Sequence, residues 1–264
     1  KWTDPPESDL SKLYVYKSSD GINYTIVDNN ISKGTQTKTI SSLNPGQLYY
    51  FYVSAIDTAG NESRPSDKFA VFVTNSQPNI LVVYDDARYI NSAYSNFYAE
   101  ALRDAGPFAF DYCDSIAVTA GYISLDSYTT VIWYNGRDSH SSGGSGTLTA
   151  TEQTKIMDFL KTSGKRFFIN GQEIAYDLDY SNYGKTFINN YLGAAYTADD
   201  AGSPLTVSGV SGSIFQGLSF NLDPKDDGSD SGGAYDATYP DIISAQSGCT
   251  VCLKYNGSTN AAVY

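Results

Sequence analysis

The sequence predicts two domains, an all-β sandwich followed by an α/β domain on an open parallel sheet. Three observations predict this. Residues 1–74 carry short alternating apolar runs separated by turn signals, the pattern of a sandwich. After the polar linker Asn75-Ser76-Gln77-Pro78 the runs become continuous, as in strands buried on both faces of a parallel sheet. Those runs then alternate with stretches of helical period, which calls for crossovers between parallel strands.

The elements follow in chain order. Leu13-Tyr14-Val15-Tyr16 alternates and runs into Ser18-Ser19-Asp20-Gly21. Asp-Gly between alternating runs is a hairpin signal, and Tyr24-Thr25-Ile26-Val27 supplies the return strand. Thr37-Lys38-Thr39-Ile40 leads through Leu43-Asn44-Pro45-Gly46 to a long strand, Tyr49 to Ile56. Beyond the linker, Asn79 to Tyr84 is an apolar strand ending in Asp85-Asp86. Residues 91–105 have helical spacing, with Tyr94, Phe97, Ala101 and Leu102 as the apolar stripe and Gly106-Pro107 as the stop. Phe108 to Tyr112 is a second strand, and Tyr128 to Tyr134 a third, centred on Val131, Ile132 and Trp133. Thr149-Ala150-Thr151-Glu152 opens a helix with a hydroxyl cap and an acid in its first turn. Ile156, Phe159 and Leu160 form its stripe, and Gly164 ends it. Arg166 to Ile169 is the fourth strand, followed by a turn and a short helix over Ile174–Leu178. Phe187, Ile188, Tyr191 and Leu192 mark another short helix. Residues 203–222 read as strand or loop, 223–241 as an acidic, Gly-rich loop, and 249–255 and 261–264 as late strands.

Composition narrows the partners. The formal net charge is −12, so nucleic acid and anionic membrane are expected to be repelled. No run approaches the ~18 apolar residues of a membrane span. Tyrosine is abundant, with 23 residues against 17 Lys plus Arg, and its apolar body and polar tip suit contact surfaces. That balance is common in exported proteins, so a secreted or cell-surface location is expected. The cysteines are three, Cys113, Cys249 and Cys252, and with His140 the only histidine a thiolate zinc site lacks soft ligands.

Two families are resembled. Leu43-x-Pro45-Gly46-x-x-Tyr49-x-Phe51-x-Val53-x-Ala55 is similar to the turn and F strand of a fibronectin type III domain. Tyr49 falls where that family has its tyrosine corner, and Asp57-x-Ala59-Gly60-Asn61-Glu62-Ser63 resembles its F–G loop. Trp2 and Pro5 match its B strand, which implies that the family's first strand is missing. Residues 79–264 resemble the class I glutamine amidotransferase-like, flavodoxin-like fold in strand order and in the turn after the fourth strand. The implied organisation is a fibronectin type III-like domain at 1–74, a linker at 75–78 and an α/β domain at 79–264 truncated at its C-terminal end, as in bacterial secreted multidomain proteins. Active amidotransferases carry a Cys at that turn, with His and Glu supplied later. Here Gln172 stands at the Cys position and no histidine follows it, so glutamine hydrolysis is not expected.

Open α/β sheets bind ligands at the carboxyl ends of their strands. Three such ends are readable: Asp85-Asp86, Asn135-Gly136-Arg137-Asp138 and Asn170-Gly171-Gln172-Glu173. Asp85, Asp86, Asn135, Gln172 and Glu173 are therefore the candidate ligand contacts, with Glu173, Asp85 and His140 the candidate catalytic groups. The structural alternative has Glu173 capping the following helix, the two aspartates solvating a loop and His140 exposed in one. Asp223, Asp226, Asp227 and Asp230 are candidate Ca²⁺ ligands, set against an ordinary solvated acidic loop; no other cofactor is expected. The first expectation is a non-catalytic extracellular binding or assembly module, for carbohydrate, for other domains of the same polypeptide or for neighbouring copies. A hydrolase or lyase on extracellular polymer, using Glu173 with Asp85 or Asp86, and a subunit of a surface layer or filament are the alternatives.

Overall fold

The structure is a computed structural model, and it describes residues 1–66, 68–85, 93–106, 108–136, 146–180, 183–202, 205–222 and 239–264. The strands are β1 Leu10–Ser18, β2 Thr25–Ser32, β3 Leu48–Asp57, β4 Phe69–Phe72, β5 Ile80–Tyr84, β6 Phe110–Asp114, β7 Thr130–Gly136, β8 Arg166–Gly171, β9 Ala194–Ala198, β10 Leu205–Gly209, β11 Ser219–Leu222, β12 Ile242–Ala245, β13 Val251–Tyr255 and β14 Thr259–Val263. The helices are α1 Ala93–Ala105, α2 Ser115–Thr119, α3 Ala150–Leu160, α4 Ile174–Asp179 and α5 Lys185–Asn190. Among the described residues no helix is long and apolar enough to cross a membrane.

The expected sandwich beside an open parallel-sheet domain is not what forms. Among the described residues strand outweighs helix, with 37% in strands and 19% in helices. Eight strands form one mixed sheet in the order β2-β1-β3-β4-β6-β5-β7-β8. The rest pair in a four-stranded sheet, β11-β10-β13-β14, and a two-stranded one, β12-β9. The overturning contact is at β4, whose Phe72 pairs antiparallel with Phe110 of β6. Local periodicity reports how a strand is buried but not which neighbour takes its edge, so the sequence pattern divides what the backbone joins. Nor does Thr37–Ile40 become a strand. Instead Ile40, with Trp2, Val27, Val53 and Ala55, covers the cluster of Leu10, Leu13, Val15 and Ile31.

Two compact units are distinguishable, Lys1–Val82 with Ile90–Cys113, and Val83–Tyr89 with Asp114–Tyr264. In the first, β1 pairs antiparallel with β2 and β3, and β3 with β4. The Asp20 carboxylate closes the β1–β2 turn by accepting the N–H of Ile22 at 2.9 Å and of Asn23 at 2.7 Å. The Asn44 N–H donates to the Tyr49 hydroxyl at 3.1 Å, which ties the turn before β3 to that strand. Helix α1 presents the small residues Ser95 and Ala99 inward, while Phe97 and Ala101 of the expected stripe stay exposed. Tyr94 lies outside the residues whose side chains are described.

In the second unit β7 and β8 run parallel. Helix α3 starts with a full capping box: the Thr149 hydroxyl accepts the Glu152 N–H, and the Glu152 carboxylate accepts the Thr149 N–H at 2.6 Å. Ile156 and Phe159 bury its inner face. Past residue 190 the strands return on themselves. Asn256 and Gly257 take φ of 47° and 73°, the left-handed pair of a tight hairpin turn, and so send β14 back along β13.

Candidate functional site

The candidate residues sit in the second unit, where β5, β7 and β8 end. Asp85 follows β5, and its N–H donates to the Tyr134 carbonyl at 2.9 Å. Its carboxylate is then saturated. Oδ1 accepts the Ser115 hydroxyl at 2.6 Å. Oδ2 accepts the Trp133 indole N–H at 2.8 Å and the Asn135 amide at 3.1 Å. All three donors are buried, so Asp85 joins β5, the start of α2 and β7 into one knot.

Asn135 extends the knot. Its Nδ2 also donates to the Thr147 carbonyl, and the Thr147 N–H donates to Asp177 of α4 at 3.0 Å. Next to it, β8 turns at Gly171. A Cβ there would come to 3.0 Å from Asn135 Cβ and 3.1 Å from Ile174 Cδ1, so glycine gives this close approach its room. The Gln172 N–H then donates to the Gly136 carbonyl at 3.1 Å and continues the β7–β8 pairing past the strand ends.

Glu173 precedes α4 and is only 5% exposed. It stands at the N-cap position, as its structural alternative has it, but its side chain makes no capping hydrogen bond to the helix. Asp241 caps it instead. Asp241 Oδ2 accepts the Ala175 N–H at 2.7 Å and the Tyr176 N–H at 3.0 Å, and the Asp241 N–H donates to the Gln172 carbonyl at 3.0 Å. Asp241 is 7% exposed, and its Oδ1 has no hydrogen-bond partner. Burial pushes its carboxyl up to about 8; the Glu173 and Asp199 charges push the same way, and the two backbone N–H groups of α4 pull back. Tyr255, buried on β13, is raised to about 12 by burial and by Asp241.

Tyrosines flank this corner. The rings of Tyr176 and Tyr180 lie 5.9 Å apart, and those of Tyr176 and Tyr196 on β9 lie 5.8 Å apart, edge to face. Tyr180 is 53% exposed.

The structure thus brings Asp85 and Asn135 into direct contact, and sets Gln172 and Glu173 on one turn with Asp241. Asp86, His140, Asp223, Asp226, Asp227 and Asp230 lie outside the described residues. Among the described residues no group of three His, Cys, Asp or Glu side chains is placed to hold a metal ion. Cys113, Cys249 and Cys252 form no disulfide, and Cys113 and Cys252 are buried. Asp241 carried no signal of its own in the sequence, where it closes an acidic loop. Its partners lie 66 and 65 residues away. Ser115 and Trp133 were equally silent as partners of Asp85.

No protein-family model matches the chain, and no curated protein matches it.

Proposed function

We propose that the chain is a non-catalytic binding module of a larger secreted or cell-surface protein, and that it takes a carbohydrate at the α4 corner. The observation that carries this reading is the tyrosine row, with the exposed Tyr180 ring beside Tyr176 and Tyr176 against Tyr196. Flat aromatic faces take the C–H faces of sugar rings, which suits the exposed Tyr180 ring. Asp85 supports the non-catalytic side. A carboxylate whose two oxygens already accept three hydrogen bonds is poorly placed to take a proton from substrate. The acidic, tyrosine-rich composition supports an exported setting.

The test is calorimetric titration of the whole chain with soluble plant, fungal and bacterial polysaccharides, followed by a reducing-end assay on each mixture. Binding to at least one polymer is expected, weakened about tenfold or more in Tyr180→Ala, with no release of reducing ends. Release of reducing ends that Glu173→Gln abolishes would replace this reading with a hydrolase. Concentration-dependent self-assembly without polysaccharide binding would replace it with a structural subunit.

A further inference from the structure

We propose that Asp241 is a proton-operated latch, which holds the segment leading into β12 onto the first turn of α4 while its carboxyl is uncharged and releases that corner as the proton is lost. The inference does not depend on what the module binds.

The geometry sets the latch. Residues 239–241 are fastened by the Asp241 N–H to the Gln172 carbonyl and by Oδ2 to the Ala175 and Tyr176 N–H groups. The Pro240 carbonyl is held in turn by the Ala201 N–H at 3.0 Å. Oδ2, with two donors, is the carbonyl-like oxygen. Oδ1, buried and without a partner, is where a proton sits without displacing a hydrogen bond. A charge on Oδ1 would instead be buried with nothing to solvate it.

The surroundings work in the same direction. Among the described residues the titratable groups around Asp241 are Glu173 and Tyr176 at α4, Tyr196 and Asp199 on and after β9, and Tyr255 on β13. Of these, Glu173 and Asp199 are carboxylates whose charges push its proton affinity up. In the closed corner the Asp241 proton is held up to about pH 8, whereas an aspartate in water releases it near 3.8. Between those values the closed form binds a proton that the open form lacks. The closed form is therefore fully favoured below about 4, loses about tenfold in its ratio to the open form per pH unit up to about 8, and is constant above that.

Amide hydrogen exchange of the whole chain, followed by NMR from about pH 4 to 9 and corrected for the intrinsic rate, tests this at Ala175 and Tyr176. In the native protein their opening constant is expected to rise about tenfold per unit and then level off. In Asp241→Asn, which keeps the two acceptor contacts and carries no charge, it is expected to stay flat. A flat profile in the native protein, or the same slope in Asp241→Asn, overturns the latch. Should Asp241→Asn fail to fold, the ¹³C shift of the Asp241 carboxyl decides: a midpoint near 8 supports the latch, and one below about 5 overturns it.

Discussion

Asp85 and Asp241 lie at two corners of the same unit, and each ties a strand end to the start of a helix. Asp85 draws on side chains: a hydroxyl, an indole and an amide cover both of its oxygens. Asp241 draws on backbone: two N–H groups cover one oxygen, and the other is bare. The first arrangement replaces most of what water gave the carboxylate. The second replaces about half, while Glu173 and Asp199 add repulsion. The two corners thus differ both in donors and in depth: the half-buried Asp85 is held by three side-chain donors, and the more deeply buried Asp241 by two backbone N–H groups on one oxygen.

The largest effect should come from the rivet. Asp85→Ala strands three buried donors and should cost about 2–4 kcal/mol in denaturant unfolding at neutral pH. A loss under about 1 kcal/mol would mean that the knot is not what holds β5 to β7. Next comes the pH dependence at Asp241. Asp241 has a raised value when folded, so its contribution to stability is present at low pH and lost as pH rises from 3.8 to about 8. Asp241→Asn should then melt with the native protein at pH ~4 and be more stable by about 1–3 kcal/mol at pH ~8.5, a gain capped by the cost of opening the corner, through which the native protein escapes the buried charge. Equal melting at both pH values would erase the distinction between the corners. Gly171→Ala pushes a methyl against Asn135 and Ile174 and should cost about 1–2 kcal/mol, read from urea midpoints. Tyr180→Ala, at the exposed end of the tyrosine row, should change stability by no more than about 0.5 kcal/mol, which keeps its expected loss of binding free of a folding defect.

What was legible in the sequence was local. The apolar run before Asp85 is β5, the Thr149–Glu152 spacing is a capping box, and the Gly-containing turn after Ile169 does lead into a short helix. Each signal lies within a few residues of the structure it directs. The misreadings were of pairing and facing. The Phe72–Phe110 bridge joins residues far apart in sequence, and no turn or period marks it. β8 reads only as a fourth apolar strand, and nothing in its run marks that it lies at the sheet edge and leaves Phe168 46% exposed. In α1 the largest apolar side chains suggested the inner face, but Ser95 and Ala99 turn inward. The candidate site divided in the same way. Asp85, Asn135, Gln172 and Glu173 were found because strand ends can be read, whereas Asp241 was missed because its effect depends on a chain crossing.

The indole hydrogen bond to Asp85 gives the molecule an optical handle. Its two tryptophans are Trp2 and Trp133, one in each unit. Trp133 is buried with its N–H on a carboxylate, while Trp2 is half-buried with its N–H on Asp4 at 3.0 Å. Their emission should differ in colour and in access to iodide. Replacing either with Phe leaves a single tryptophan, which red-edge excitation separates from the 23 tyrosines, so the unfolding of each unit can be followed separately in the intact chain without an added label.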